Sequence, residues 1–143
     1  MFAGQLALSV AAIFAGAAIY VTVAEQPARL ALDDVALLAQ WKPSYKRGYV
    51  MQATLAIVGF FLGLVAWWQT RNLWWVAGAG ILIANCPYTL IGIMTTNHAI
   101  GAVAPEAASP DSRALIVKWG GLHAGRAILG FAATLAFLWA SLG

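Results

Sequence analysis

The chain has 143 residues, of which 62% are hydrophobic and only 9% are charged, and its formal net charge is +3. A soluble domain carries about 25% charged residues, so this composition excludes an ordinary water-soluble globular protein. The basic residues are too few and too scattered to follow a phosphate backbone, which excludes nucleic acid as a partner. The composition predicts a small integral membrane protein in contact with lipid.

Four apolar stretches are long enough to cross a bilayer, which takes about 20 residues of helix. They cover residues 1–24, 49–68, 73–94 and 114–142. A chain of this length has room for a single transmembrane domain, residues 1–143, and for no second core. We therefore predict an all-α fold, an integral membrane four-helix bundle with antiparallel up-down topology.

Two longer connections join these spans. Residues 25–48 contain Pro27 and Pro43, and their weakly amphipathic pattern predicts a short interfacial helix from about Ala28 to Gln40. Residues 95–113 read as a turn-rich loop. Because basic residues concentrate in the first connection, the positive-inside rule predicts that both connections are cytoplasmic and that both termini lie on the opposite side.

The fourth span carries polar groups at helical spacing. Trp119, His123 and Arg126 lie at positions i, i+4 and i+7, which places them on one stripe of an α-helix. Ionisable residues inside a span normally face a bundle interior or a wet cavity and mark a functional site. The alternative is a purely structural role, in which Arg126 pairs with Glu25 across the bundle and His123 is a hydrogen-bonded core histidine.

Further polar side chains reach the same leaflet when the spans are threaded in antiparallel order. They are Glu25, Gln26, Tyr45, Tyr49, Gln52, Asn85, Tyr88, Thr89, Thr96 and Asn97. Pro87 should bend the third span, and Asn85 and Thr89 share one face at i and i+4. The pattern predicts a pocket that opens toward the basic connections and is closed at its far end by packed apolar residues.

Several short motifs follow one another in a characteristic order. They are Ala24 to Arg29, Trp41 to Tyr45, Asn85 to Thr89 followed by Met94 to Asn97, and finally Trp119 with His123 and Arg126. This order resembles the anthrone oxygenase-like family, which has fungal and many bacterial members, over nearly the full chain. The resemblance implies a four-helix protein of the bacterial inner membrane. One position departs from the pattern, since His98 stands where a second asparagine is expected after Asn97.

Some fungal members of that family oxidise anthrones to anthraquinones, so the resemblance implies a membrane-embedded, cofactor-independent monooxygenase. Its partners would be dioxygen and a small hydrophobic aromatic or polyketide-type substrate. The matching polar positions are Glu25, Arg29, Asn85, Thr89, Asn97, Trp119, His123 and Arg126. His123 is the candidate base because its unperturbed pKa of about 6.5 suits proton transfer near neutral pH. Arg126 would stabilise the enolate oxygen that develops on the substrate as the proton leaves.

The predicted catalytic group is therefore His123, Arg126 and Glu25. The predicted substrate-binding residues are Asn85, Thr89, Asn97, Trp119 and Tyr49. A second hypothesis is a metal-dependent membrane oxidase, because His98, His123 and Glu25 offer two imidazoles and a carboxylate to iron or copper. A third is a non-catalytic small membrane subunit or hydrophobic-ligand-binding protein, whose polar cluster fixes helix register. A homo-oligomer is compatible with each of these.

Overall fold

The computed structural model describes residues 1–143 and contains four long helices and no strands. The helices are α1 (Phe2–Leu30), α2 (Asp34–Thr70), α3 (Trp74–Gly101) and α4 (Pro110–Leu142). Each helix is long and apolar enough to cross a membrane. The prediction of an all-α integral membrane protein with four spanning helices is confirmed.

The helices pack as a ring in which each contacts its neighbour in sequence and α4 closes onto α1. One end of the ring, the tryptophan end, contains the turn at residues 71–73, where the rings of Trp74 and Trp139 meet. The opposite end, the loop end, contains the connections at residues 31–33 and 102–109. The two ends differ sharply in what they bury.

The connections at the loop end are much shorter than predicted. Only residues 31–33 separate α1 from α2, and the predicted interfacial helix Ala28–Gln40 is wrong, because its first residues complete α1 and its last ones begin α2. Asp33 fixes that start as an N-cap, since its side chain accepts a hydrogen bond from the Ala36 N–H at 2.8 Å. Pro43 then lies inside α2 without ending it, as membrane helices tolerate.

The helices extend beyond the predicted spans at the loop end. With 37 residues, α2 is about 55 Å long, whereas the hydrocarbon core of a bilayer is about 30 Å thick. The early part of α2 therefore packs outside that core against the end of α3 and the start of α4. This contact forms an apolar loop-end cluster of Leu37, Leu38, Trp41, Ile93, Ile100, Ile116 and Trp119.

Arg113 holds the two loop-end connections together. Its guanidinium pairs with Asp34 and donates to the carbonyl oxygens of Leu30 and Leu32. The Leu30 carbonyl ends α1 and the Leu32 carbonyl lies in the connection that follows, so a cation near this helix C-terminus is well placed. Lys42 makes a comparable contact by donating to the Val103 carbonyl.

The core at the tryptophan end consists of alanines and a few large side chains. Its members are Ala7, Ala11, Phe14, Ala18, Ala56, Ala66, Trp75, Ala79, Leu82, Ala127, Ala133, Phe137 and Ala140. Small residues let helix backbones approach closely in membranes. At Gly63 and Gly78, an added Cβ would lie within 3.0 Å of the Phe137 ring. This half of the bundle is closed by direct packing.

Prolines disturb two of the helices in the half nearer the loop end. A wide π-helical turn spans Val21–Glu25 just before Pro27, and another spans Thr89–Ile93 just after Pro87. Proline removes a backbone donor and its ring clashes with the carbonyl four residues earlier, so the helix must adjust. Up to Ala84, the backbones of α3 and α2 lie close together; from Asn85 the backbone of α3 stays close to α4 and lies farther from α2. The two helices meet again through side chains at the loop-end cluster. A crevice results between α2 and α3.

Candidate functional site

Arg126 is a buried cation without an acidic partner. The residue is only 7% exposed, and its Nε atom has no hydrogen-bond partner. The two ion pairs of the structure join other residues, Arg29 to Glu25 and Arg113 to Asp34. The guanidinium lies over the ring of Phe14, 5.7 Å from its centroid. Burial of an unpaired charge is costly, so this position is suited to binding an anion.

Glu25 is hydrogen-bonded to other residues than Arg126. One of its carboxylate oxygens, Oε1, accepts hydrogen bonds from Arg29 at 2.6 Å, from Gln40 at 3.1 Å and from Ser44 at 2.5 Å. The alternative in which Glu25 neutralises Arg126 is therefore wrong. The carboxylate joins α1 to the early part of α2, and the structure does not bring it into the cavities beside His123 and Arg126.

A small polar chamber lies between α1, α2 and α4. Its lining consists of Val21, Arg29, Ser44, Tyr45, Gly48, Tyr49, Gln52, Trp119, His123 and Arg126. The free volume is about 30 Å³, and one water molecule needs only about 10–15 Å³ of such volume. The chamber therefore has room for one or two water-sized molecules beside the imidazole.

His123 faces this chamber as a buried imidazole with a free ring nitrogen. Its Nδ1 atom has no hydrogen-bond partner. The ring leans on Trp119 with centroids 4.8 Å apart, and Arg126 follows one helical turn later, close enough for the two side chains to act on one ligand. The predicted stripe of α4 therefore faces inward, and His123 is free to exchange a proton with a bound molecule.

Trp119 forms part of the chamber wall. Its ring meets the edge of Trp41 at 5.7 Å between centroids, and the Arg29 guanidinium lies 5.5 Å from its centre. Together with the contact to His123, these neighbours occupy much of the indole surface. Trp119 is placed to hold His123 in position, and little of its ring surface remains free for its predicted role in substrate binding.

A larger cavity, the lateral crevice, lies between α2 and the bent part of α3. Its volume is about 210 Å³, and its lining consists of Tyr49, Ala53, Ala56, Ile57, Asn85, Cys86, Thr89, Leu90 and Arg126. Tyr49 and Arg126 line both this crevice and the polar chamber. The two cavities therefore adjoin at these two side chains, one helical turn from His123.

Asn85 and Thr89 come together with Arg126 in the crevice, as their helical spacing predicts. The Asn85 side chain donates from Nδ2 to the Leu82 carbonyl at 3.1 Å, which leaves its Oδ1 without a partner. The buried hydroxyl of Thr89 has no partner either. Buried polar atoms are nearly always hydrogen-bonded, so these two side chains retain hydrogen-bonding capacity toward the crevice.

Asn97 lies apart from that group. It borders neither cavity, and its Nδ2 atom points to the sulfur of Met94 at 3.9 Å, which also receives the Tyr45 hydroxyl at 3.9 Å. The structure therefore places Asn97 beside the aromatic wall of the chamber. A role for Asn97 in positioning that wall fits this location better than direct contact with the substrate.

The three residues of the metal hypothesis do not assemble. His98 is exposed near the end of α3, while His123 is buried in the chamber and Glu25 is engaged with Arg29. No group of three or more His, Cys, Asp or Glu side chains lies close enough together to hold a metal ion.

The direction in which the site opens differs from the prediction. The pocket was expected to open toward the basic connections, but the apolar loop-end cluster packs at that end of the bundle. The crevice opens instead between α2 and α3. The contribution of α2 has a visible signal in the sequence, because Tyr45, Tyr49 and Gln52 repeat the i, i+4, i+7 spacing of the stripe on α4.

Comparison with known proteins agrees with the sequence motifs. The family model for anthrone oxygenases matches residues 41–136, well over half of the chain. An anthrone oxygenase of Claviceps purpurea (strain 20.1) is 28% identical over 115 residues, which are 72% of this chain and 66% of that relative. The chain thus spans slightly less than two thirds of the relative's length. No solved structure matches the chain. The family match confirms the resemblance: the chain belongs to the anthrone oxygenase family.

Proposed function

We propose that this protein is a membrane-embedded oxygenase that deprotonates an anthrone-like aromatic ketone and lets the resulting carbanion react with dioxygen. The observation that carries this proposal is Arg126, a buried cation without a carboxylate partner, at the junction of two cavities and one turn from His123. Family membership supports the reaction class.

The first step is removal of a proton from the methylene carbon opposite the ketone. His123 lines the adjoining chamber and accepts that proton through a water molecule held there. The electron pair of the C–H bond moves through the ring system onto the carbonyl oxygen. Arg126 stabilises the negative oxygen as it forms. A cation fixed in a water-poor site is worth more to such a charge than it is in water, because no solvent has to reorganise.

The second step uses dioxygen as the oxidant. The carbanion gives one electron to dioxygen, and the radical pair combines into a carbon–oxygen bond to form a peroxide. The protonated His123 returns its proton to the outer oxygen of the peroxide. Loss of the remaining proton from that carbon then cleaves the oxygen–oxygen bond, which leaves a second ketone and releases hydroxide, and the hydroxide takes up that proton to become water. One oxygen atom enters the product and the other becomes water. The substrate supplies all the electrons, so the proposal requires no cofactor.

The remaining predicted residues receive narrower roles. Asn85, Thr89 and Tyr49 bind the oxygens or rings of the substrate, since they line the crevice with Arg126. Trp119 holds the His123 ring, as its contact at 4.8 Å supports. Glu25 holds Arg29 in the chamber wall through its 2.6 Å ion pair. Its role is therefore positioning.

The proposal also includes the placement of the loop end in the cytoplasm of a bacterial cell, with the protein in the inner membrane. Lys42, Lys46, Arg47 and Arg113 lie at or near that end, which the positive-inside rule favours for the cytoplasmic side. A reporter fused after Gly143, active only outside the cytoplasm, should be active. An inactive reporter would reverse the orientation.

Oxygen uptake by membranes containing the protein tests the reaction. With a hydroxylated anthrone as substrate, His123→Ala should lower the rate by about 10²- to 10⁴-fold, the usual contribution of a general base. Arg126→Met should lower it by about 10²- to 10³-fold, as removal of an oxyanion donor does. Each molecule of anthraquinone should appear with consumption of one dioxygen.

Two controls accompany this assay. Anthrones oxidise slowly in water without a protein, so membranes that lack the protein give the background rate. The exposed His98→Ala variant should keep the wild-type rate. Equal uptake by wild type and His123→Ala would reject the proposal and leave a hydrophobic-ligand-binding protein. Stoichiometric iron or copper that is lost together with activity in His98→Ala would replace it with the metal mechanism.

A further inference from the structure

We infer that the lateral crevice holds the ring system of the substrate and that the substrate enters it from the hydrocarbon of the bilayer. The ligand class is a planar hydroxylated aromatic ketone whose oxygen becomes an anion at Arg126. This inference rests on the proposed function, because it names the substrate class and the route to the same site. Its basis is the gradient of polarity along the crevice.

The outer rim of the crevice is apolar and lies on the membrane-facing surface. Ile57 and Leu90 form this rim, and they are 47% and 59% exposed. Four membrane-length helices place such a surface in contact with lipid tails. A molecule that dissolves in the bilayer therefore meets the opening directly.

The inner end of the crevice is polar and lacks partners. Asn85, Thr89 and Arg126 are each more than nine-tenths buried, and each has a polar side-chain atom without a hydrogen bond. A lipid tail cannot satisfy these atoms. A ligand satisfies all three when it carries a hydroxyl that donates to the Asn85 oxygen, an oxygen that accepts from the Thr89 hydroxyl, and a negative oxygen for the guanidinium.

The size and shape of the crevice suit a flat ring system. An apolar cavity of roughly 150 Å³ is known to bind benzene, and the crevice holds about 210 Å³ and is open on one side. Ala53 and Ala56 provide the wall on α2, and small side chains there leave the width that rings need. The crevice exists because α3 leaves α2 beyond the break that precedes Pro87.

Ligand binding to the full-length protein in lipid nanodiscs tests the inference without any turnover. The probe is a dihydroxyanthraquinone, followed by quenching of tryptophan fluorescence, and the comparison ligand is anthracene, which has the three rings without oxygens. Ala53→Leu should weaken binding of the probe at least 10-fold by filling the crevice. The matched control Ala12→Leu makes the same change at an exposed position of α1 and should leave the Kd unchanged.

Arg126→Met separates the polar end from the apolar walls. It should weaken binding of the dihydroxyanthraquinone at least 10-fold and leave that of anthracene within about twofold, because the ring system still fits. Equal Kd values for the dihydroxyanthraquinone in wild type, Ala53→Leu and Arg126→Met would overturn the inference.

Cys86 offers a measurement on the unmodified protein. It is the single cysteine of the chain and it lines the crevice. A saturating dihydroxyanthraquinone should slow its reaction with a lipid-soluble maleimide severalfold, whereas an unchanged rate would overturn the inference. Protection of Cys86 in a protein that does not consume oxygen with an anthrone would reject the oxidation and keep the binding site. Oxygen consumption with an anthrone, without protection of Cys86, would reject the binding site and keep the oxidation.

Discussion

The two halves of this bundle bury opposite kinds of residues. At the tryptophan end, alanines pack against a few large side chains and no charged group is buried. Every buried polar side chain lies on the loop side of the layer where Gly59 meets Leu82. Seven of them have polar atoms without partners, namely Gln26, Arg29, Asn85, Thr89, Asn97, His123 and Arg126. The difference indicates that one half supplies the stability that the other half gives up.

That division follows from what a reactive site needs. In the proposed reaction, the cation that stabilises an anionic oxygen cannot already be neutralised by a carboxylate, and burial of such an unpaired cation carries an energetic cost. The packed core that contains Phe137 stabilises the other half of the bundle. Natural proteins commonly accept such local destabilisation at functional sites.

The largest effect on stability is expected at Phe137. Replacement of this fully buried ring by alanine should lower the free energy of unfolding by about 3–5 kcal/mol, because it leaves a cavity beneath Gly63 and Gly78. Phe131→Ala is the matched control on the same helix, since that ring is 53% exposed. Unfolding in detergent should show a much smaller change for it, and equal losses would contradict the assignment of the core.

A smaller effect is expected from one added methyl group. Gly78→Ala places a Cβ 2.5 Å from the Phe137 ring, which should cost about 1–3 kcal/mol by overpacking. At Gly80 nothing lies within 4 Å of the added Cβ. Gly80→Ala should therefore stabilise the protein by about 0.5–1 kcal/mol, the usual gain for alanine over glycine in a helix. Changes of the same sign at both positions would show that the tryptophan end is not tightly packed.

The smallest effect on stability is expected at Arg126, where the sign of the change in the free energy of unfolding is the informative result. Arg126→Met removes a buried cation that has no ion pair, so the free energy of unfolding should stay within about 1 kcal/mol of wild type or rise. The activity should fall at the same time. A loss of more than about 3 kcal/mol would identify Arg126 as a member of a structural pair, since that is the cost of breaking one.

Much of this architecture is readable from the sequence, because membrane spans follow from length and hydropathy. The inward stripe of Trp119, His123 and Arg126 follows from helical spacing alone. The ion pair of Glu25 with Arg29 can also be predicted from the sequence, since Arg29 follows Glu25 at i+4. Local pairing of this kind competes well with a partner on a distant helix.

The rest depends on tertiary packing. The sequence around Pro43 does not show that α2 continues through this proline. Whether a helix tolerates an internal proline depends on the neighbouring helices. The crevice also depends on tertiary packing. Pro87 predicts a bend in α3, but it does not predict that α2 is the helix from which α3 moves away. For this reason the sequence predicts a pocket that opens toward the basic connections, whereas the crevice opens between α2 and α3.

The most direct test of the central claim uses the colour of a bound ligand. A hydroxyanthraquinone changes its visible spectrum when a hydroxyl group loses its proton, so the spectrum reports whether Arg126 stabilises an anionic oxygen. At a pH where the free ligand is neutral, the ligand bound to the wild-type protein should show the phenolate spectrum, and the ligand bound to Arg126→Met should show the neutral one. Identical neutral spectra with both proteins would contradict the account.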